Sequence, residues 1–278
     1  MNWTRSLALA AGLAGSTAPA ARLTAQVIPA QPARYLLTTE AADARALWVN
    51  PAGLARRLEA SIGVDVGADR FTTGTQLSQY GATIASRGLA VSWVHERYPA
   101  GLSLDGYAIG MGLGDERFSA GAARRWYRGV VSGSAWDVGA RAALGQGVQG
   151  AQLSLVARGL GSPRLGDSTY WATFVPGASV GALGGAVQLG AEWEVAPHGW
   201  RSVEIRAGGT VSLRPDLALT VRADLASDFR RRGLVLALTW SGSKARVAAF
   251  AGLSGGVNEL DAFGASGALV ALGTRSRR

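Results

Sequence analysis

Apolar and polar residues alternate along this chain from near Ala60 almost to the C-terminus. In the stretch 185–195, for example, Leu189 and Trp193 fall on one side and Glu192 on the other. A period of two places successive side chains on opposite faces of a β-strand. The pattern therefore predicts an all-β protein whose strands each have one apolar face and one polar face.

About fourteen segments carry this alternation. They cover residues 60–70, 76–86, 89–97, 104–113, 117–127, 135–144, 149–159, 169–182, 185–195, 201–213, 216–226, 232–241, 244–253 and 259–272. Connections after even-numbered segments are tight, as at Arg87-Gly88, whereas those after odd-numbered segments are longer, as at 71–75 and 160–168. Short periplasmic turns, longer outer loops and an even strand number are typical of outer-membrane barrels. The sequence thus predicts an antiparallel transmembrane β-barrel with an N-terminal helical plug, and a soluble sandwich is the weaker alternative.

Charged residues occupy many polar positions of the predicted strands. A basic side chain at the lipid midplane costs ~2–4 kcal/mol, so we expect the charged faces to point into the barrel. The predicted lumen-facing charges are Asp137, Arg141, Arg158, Glu192, Glu194, Glu204, Arg206, Arg222, Asp224 and Arg246.

Aromatic residues and arginines concentrate in or beside the longer loops. Rings at this level form the interfacial girdles of membrane barrels, and the predicted girdle residues are Tyr98, Trp126, Tyr127, Trp136, Tyr170, Trp171, Trp193, Trp200 and Phe229. Guanidinium groups bind phosphate, so outer-membrane lipids, and lipopolysaccharide phosphates in particular, are predicted partners of Arg124, Arg125, Arg128, Arg230, Arg231 and Arg232. The alternative is that these arginines only solvate loops.

The N-terminus predicts export. Arg5 precedes an apolar core and small residues, which is the pattern of a signal peptide over residues 1–25 with cleavage after Ala20 or Ala25. We therefore expect a Gram-negative-type outer-membrane location, a hatch segment over 26–59, a barrel over 60–273 and a basic tail over 274–278. The net charge of +9 comes from dispersed arginines, which argues against a nucleic-acid partner.

The hatch segment departs from the strand pattern. Thr39 is a candidate cap for a short helix from Glu40 to Trp48. Asn50 is a candidate N-cap for a second turn, because Pro51 fits the first helical position, where its missing N–H is no loss. These features predict a small plug in the barrel mouth.

A resemblance to a known family rests on this same segment. The run from Ala41 to Ala55, with Asn50-Pro51-Ala52-Gly53-Leu54 at its core, resembles the hatch signature of the FadL-like outer-membrane proteins. That group comprises long-chain fatty acid transporters and the PorV/PorQ barrels of protein secretion. The resemblance implies a fourteen-stranded barrel that acts as a channel or transporter for small hydrophobic or amphipathic molecules. It leaves open the alternative of a PorV/PorQ-like scaffold with a secretion-system partner and no transport.

Proline lies inside the eighth predicted strand, at Val175-Pro176-Gly177. Proline has no N–H for the strand ladder, so we expect a bulge or local unpairing at Pro176, with Gly177 absorbing a strained backbone. Such a wall interruption offers a sideways route into lipid. The alternative is a bulge that only eases barrel curvature.

Catalytic motifs are weak in this chain. The run Gly252–Gly256 matches a nucleophile elbow, but no histidine follows His198. His95 and His198 are far apart in sequence and do not predict a metal site. The sequence predicts neither an enzyme nor a cofactor.

Overall fold

Fourteen strands form a closed antiparallel barrel in the computed structural model, which describes residues 33, 35–56, 59–71, 74–98, 101–129, 132–145, 150–161, 164–165, 168–169, 172–196, 201–254 and 262–270. The predicted signal peptide and basic tail lie outside these residues. The barrel strands are β1 (Ser61–Phe71), β2 (Gly74–Ser86), β3 (Leu89–Arg97), β4 (Ser103–Gly114), β5 (Phe118–Gly129), β6 (Gly133–Leu144), β7 (Ala151–Leu160), β10 (Thr173–Ala182), β11 (Val187–Ala196), β12 (Arg201–Arg214), β13 (Leu217–Leu225), β14 (Arg231–Ser241), β15 (Ala245–Ser254) and β16 (Ala262–Val270).

Each strand pairs with its neighbours in the chain, with one exception. Between β7 and β10, a separate two-stranded sheet forms from β8 (Arg164–Leu165) and β9 (Ser168–Thr169), and β7 pairs directly with β10. Pairing of β1 with β16, from Ser61↔Val270 to Asp69↔Ala262, closes the barrel. Closure leaves no open edge, as a sheet in lipid requires. The predicted fourteen-stranded barrel is confirmed.

The two faces of the wall differ as the alternation predicts. On β1, the outward Ile62 and Val64 are 49% and 50% exposed, whereas the inward Ser61 and Asp65 are each 2% exposed. The outer face is apolar around the barrel, which suits lipid rather than water.

Two predictions about local structure are wrong in detail. The eighth segment begins at Thr173 instead of residue 169, because Ser168–Thr169 pairs with Arg164–Leu165. The connection from β1 to β2 is two residues long rather than a longer loop. At Pro176 the sequence predicts a bulge or local unpairing, and the described strands show the second, because positions 175 and 176 have no pairs toward β11. Register shifts occur among the described strands at Gly67/Ala68, Trp136/Val138, Glu194/Val195, Ser212/Arg214 and Asp224/Leu225, and none occurs at Pro176.

The helix expected from Glu40 to Trp48 is also largely absent. Among residues 35–56, only Ala46–Val49 is α-helical (α1), and a 3-10 helix follows over Pro51–Arg56. The Asp43 carboxylate accepts a hydrogen bond from the backbone N–H of Arg45, 3.1 Å away. A carboxylate that accepts from the N–H two residues on is the bond of a helix N-cap, so the helical turns begin just after Asp43 and not at Glu40. The Thr39 hydroxyl caps nothing and has no hydrogen-bond partner among the described residues.

Candidate functional site in the barrel interior

Residues 35–56, here called the inner segment, lie inside the barrel. Its 3-10 helix packs against β4, β5 and β6. At the other end of the segment, Tyr35 packs with Val235 of β14 and Phe250 of β15. Because the segment contacts strands on opposite sides of a closed barrel, it occupies the interior.

Glycines bring the inner segment into direct contact with β4–β6, here called the near wall. A Cβ atom at Gly121 would overlap the Pro51 carbonyl, and one at Gly139 would overlap the Asn50 side chain. At Gly112, a Cβ would lie 2.7 Å from the Ala55 backbone nitrogen. Larger residues at these positions would therefore push the segment away from the wall.

The hatch motif forms a buried turn on this wall. The Asn50 Nδ2 group donates to the Thr38 carbonyl at 3.0 Å, and Oδ1 accepts from the Ala52 N–H at 3.1 Å. The second bond caps the start of the 3-10 helix, as the sequence predicts for Asn50. Gly53 is close to the Ala41 carbonyl, which leaves no room for a Cβ.

Two buried arginines donate to the last carbonyls of α1. Arg125 Nη2 reaches the Trp48 oxygen at 3.1 Å, and Arg158 Nη2 reaches the Val49 oxygen at 3.2 Å. These carbonyls belong to the end of a helix, where intrahelical donors run out. Arg125 also forms an ion pair with Asp137, so this guanidinium joins the wall to the inner segment.

Carboxylates make the remaining links on β10–β13, here called the far wall. The Thr38 N–H donates to Glu192 of β11 at 2.7 Å, and Arg206 of β12 forms an ion pair with the same carboxylate. Glu40 of the inner segment forms an ion pair with Arg222 of β13, 182 positions away in sequence. The far wall therefore holds the inner segment through charged side chains.

A further ion pair lies within the inner segment. Asp43 accepts from Arg45 Nε at 2.8 Å and from Nη2 at 2.5 Å, and Arg45 also donates to the Tyr35 hydroxyl. Burial alone would raise the pKa of Asp43, but the charge and hydrogen bonds of Arg45 outweigh burial and lower that pKa to about 2. Asp43 is thus ionised at neutral pH, and the pair stiffens the turn before α1.

The ten predicted lumen charges all lie on inward positions of their strands. Asp137, Arg141, Arg158, Glu192, Arg206, Arg222 and Asp224 are buried, and Glu194, Glu204 and Arg246 are half-buried. The structure brings Arg158 to within 3.8 Å of Glu194 and pairs Glu192 with Arg206. Glu40 and Thr38 were not predicted as members of this network. No sequence signal identifies them, because their partners are more than a hundred positions away.

Two residues assigned to the outer surface point inward instead. Arg125 is 1% exposed and pairs with Asp137, so it is not available to lipopolysaccharide. Tyr127 is 6% exposed and is not a girdle residue. Both residues lie an even number of positions from the buried Ala123 on β5. The period-two rule therefore already predicts that their side chains point inward. The other described girdle residues on strands, Trp126, Trp136 and Trp193, do face outward.

The wall around Pro176 is interrupted on one side only. Toward β7 the pairing is continuous through Pro176↔Leu155. Toward β11 the ladder contains Phe174↔Val195 and Gly177↔Glu192 but no pairs at positions 175 and 176. The Gly177 backbone is not in the left-handed region. Instead, a Cβ there would lie 2.5 Å from Thr38 Oγ1, so glycine makes room for the inner segment and does not relieve strain.

An apolar groove, here called the outer groove, lies beside this interruption on the lipid-facing wall. Its volume is about 760 Å³. Outward alanines at 178, 191, 207 and 223 form its floor, and Leu153, Val180, Leu189 and Val221 surround them. The groove exists because small side chains adjoin across four strands while their neighbours are large.

Other chemistry is sparse in the described part of the chain. It contains no cluster of three or more histidine, aspartate or glutamate side chains placed to hold a metal ion. No helix within the described ranges is long and apolar enough to cross a membrane.

Solved structures of similar fold are outer-membrane barrels. The CymD monoaromatic hydrocarbon channel matches with a TM-score of 0.59 and 10% identity, over 88% of this chain and 98% of that one. The toluene transporter TbuX of Ralstonia pickettii matches with a TM-score of 0.56 and 10% identity, over the same shares. The outer membrane protein Omp33 of Acinetobacter baumannii matches with a TM-score of 0.51 and 11% identity, over 77% of this chain and 99% of that one.

These likenesses establish the fold. They agree with the barrel fold that the resemblance implied, and identities of 10% carry nothing finer. No protein-family model matches this chain, and no curated protein matches its sequence significantly.

Proposed function

We propose that this protein is an outer-membrane channel for small hydrophobic molecules, with the inner segment as its resident hatch. The observation that carries the proposal is the pairing gap at positions 175 and 176 beside the apolar outer groove. A molecule that leaves the interior there meets apolar side chains instead of water. The inner segment blocks the direct path, because it is buried between the near and far walls.

The physical basis of a sideways route is the missing N–H of Pro176. Proline cannot donate to the neighbouring strand, and the unpaired positions lie on the β11 side. Pro176 itself faces outward, two residues from the alanine floor of the groove. A small separation of β10 from β11 would therefore open into the groove.

Uptake of a small aromatic hydrocarbon tests this proposal. Toluene is a suitable probe, because structures of similar fold are a toluene transporter and a monoaromatic hydrocarbon channel. Host cells that express the barrel should take up radiolabelled toluene faster than cells without it. Pro176→Val should restore a donor to the ladder and lower uptake toward the background rate, while the barrel still runs faster on gels unheated than boiled.

The matched control is Pro215→Val, which makes the same chemical change in a short turn at the other end of the barrel. It should leave uptake unchanged. Gly177 is kept in both variants, because a side chain there would strike Thr38 and Ser154. Undiminished uptake by Pro176→Val would leave the proline as a feature of shape only.

A PorV/PorQ-like scaffold is the second candidate, and one observation favours it. The interior charges pair with each other and with the inner segment, as in Arg206–Glu192 and Arg222–Glu40, so the lumen is filled at that level. A scaffold predicts that neither the wild type nor variants with a loosened inner segment raise toluene uptake. Co-purification of a secreted protein with the barrel would then identify its partner.

A further inference from the structure

A basic and aromatic patch lies on the outward face of β3–β6 at the long-loop end of the barrel. We call it the girdle patch, and its members are Trp93, His95, Asp105, Arg124, Trp126, Arg128 and Trp136. The strand register aligns His95, Asp105 and Arg128 in one row and Trp93 and Trp126 in the row below. These are the levels at which a barrel wall passes from hydrocarbon to headgroups.

Arg124 starts below this level and extends up to it. Its guanidinium carbon lies 5.5 Å from the Trp126 ring centre and 5.4 Å from that of Trp136. Its Nη2 lies 3.5 Å from the hydroxyl of Ser134, which pairs with Trp126. The stem thus lies along apolar surface while the charge reaches the polar boundary. The Nε atom has no hydrogen-bond partner among the described residues.

Asp105, the one acidic residue of the patch, already has hydrogen-bond partners within the patch. Asp105 Oδ1 lies 3.1 Å from Trp93 Nε1 and 2.9 Å from His95 Nδ1. Arg128, directly opposite Asp105 in the register, is exposed and makes no ion pair with a described residue. The adjoining loops 98–102 and 130–132 contain no aspartate or glutamate. The patch therefore carries two guanidinium groups without an acidic partner.

The second arginine cluster differs in this respect. Arg230 Nε lies 2.5 Å from Asp228 Oδ2, and the same carboxylate accepts from the Arg230 backbone. The charge of Arg230 is therefore paired within its own loop. This contrast separates the two clusters that the sequence treats alike.

We propose that the girdle patch binds a phosphate of lipid A, with Arg124 and Arg128 as its donors. Guanidinium forks match phosphate oxygens in a bidentate geometry. Val91 and Ile109, which are level with Arg124 in the register, and Val138 in the row below are 50%, 50% and 44% exposed, which gives acyl chains an apolar surface. Lipid A is the partner because the long-loop end faces the outer leaflet in such barrels. The site rests on the proposed outer-membrane location and is independent of transport.

The proposal is tested by measuring, with native mass spectrometry, how much lipid A binds to the purified barrel in detergent. Arg124→Gln combined with Arg128→Gln should weaken binding of the bis-phosphorylated lipid by about tenfold or more, since both charge-assisted donors to the phosphate are lost. Arg128→Gln alone changes an exposed residue and should give a smaller loss in a fully folded barrel. Dephosphorylated lipid A should bind wild type and double variant alike.

The matched control removes two exposed arginines at the short-turn end, by Arg117→Gln and Arg214→Gln. It should retain wild-type binding of lipid A. An equal loss in this control would show a general effect of net charge and would overturn the site. Equal affinity of the wild type for phosphatidylglycerol and lipid A would overturn the assignment to lipid A, and toluene uptake should be unaffected by either double variant.

Discussion

The near and far walls hold the same inner segment with a different balance of contacts. Backbone contact predominates on the near wall, which adds the Arg125 bond, and charged side chains predominate on the far wall, which adds the contact at Gly177. On the near wall, glycines such as Gly121 let strand backbone contact the backbone of the hatch turn. On the far wall, Glu192 and Arg222 reach the segment through charged side chains. Close backbone contact fixes position by shape, because cores transmit strain and have few voids. Ion pairs can separate and re-form one at a time, so we expect any movement of the segment to begin at the far wall.

The largest effect should come from breaking the far wall. Arg206→Met leaves the buried Glu192 without its cation, and an unpaired buried charge costs about 3–5 kcal/mol. The inner segment should loosen, which is measured as faster trypsin cleavage after Arg45 in the otherwise intact barrel.

A second substitution, at Glu192, tests whether the effect of Arg206→Met comes from the unpaired charge or from the altered side-chain shape. Adding Glu192→Gln to Arg206→Met should recover most of the protection, because an amide still accepts from the Thr38 N–H without a buried charge. If the double variant is cleaved as fast as the single one, the far wall does not act through this ion pair.

A smaller effect is expected from overfilling the near wall. Gly121→Ala places a Cβ onto the Pro51 carbonyl, and overpacking of this kind costs about 1–3 kcal/mol. Gly252→Ala is the matched control, since its Cβ would meet its nearest atom at 3.5 Å. Equilibrium unfolding in vesicles should show the loss in the first variant only. Charge substitutions on the far wall should not restore the stability of Gly121→Ala. If Gly121→Ala and Gly252→Ala are equally stable, the two walls do not differ in the way described above.

The smallest effect tests the hatch turn itself. Asn50→Ala removes the cap on the Ala52 N–H and the bond to the Thr38 carbonyl, and lost caps cost about 0.5–2 kcal/mol. Cleavage after Arg56 should accelerate more than cleavage after Arg45, because the 3-10 helix begins at Pro51. Equal acceleration at both sites would indicate that the turn and the rest of the segment unfold together.

Much of the barrel was predictable from local pattern. The segment 89–97 matches β3 at both ends, and most other boundaries differ by one to three residues. The hatch turn at Asn50 was equally visible, since capping is a property of adjacent residues. The helix predicted over 40–48 begins later than expected, because Asp43 and not Thr39 caps the backbone at its start.

The sequence by itself determined which side chains face lipid and which face inward, because a strand repeats every two residues wherever it lies. Applied strictly, that rule also separates Arg124 from Arg125 and sends them to opposite faces. Only the tertiary structure decided which inward groups meet. Arg222 finds Glu40, and Arg158 finds the Val49 carbonyl, across distances in sequence that no periodicity spans. Barrel closure brings the inward side chains of different strands around one interior. The inner segment lies in that interior, and its position decides which of them it contacts.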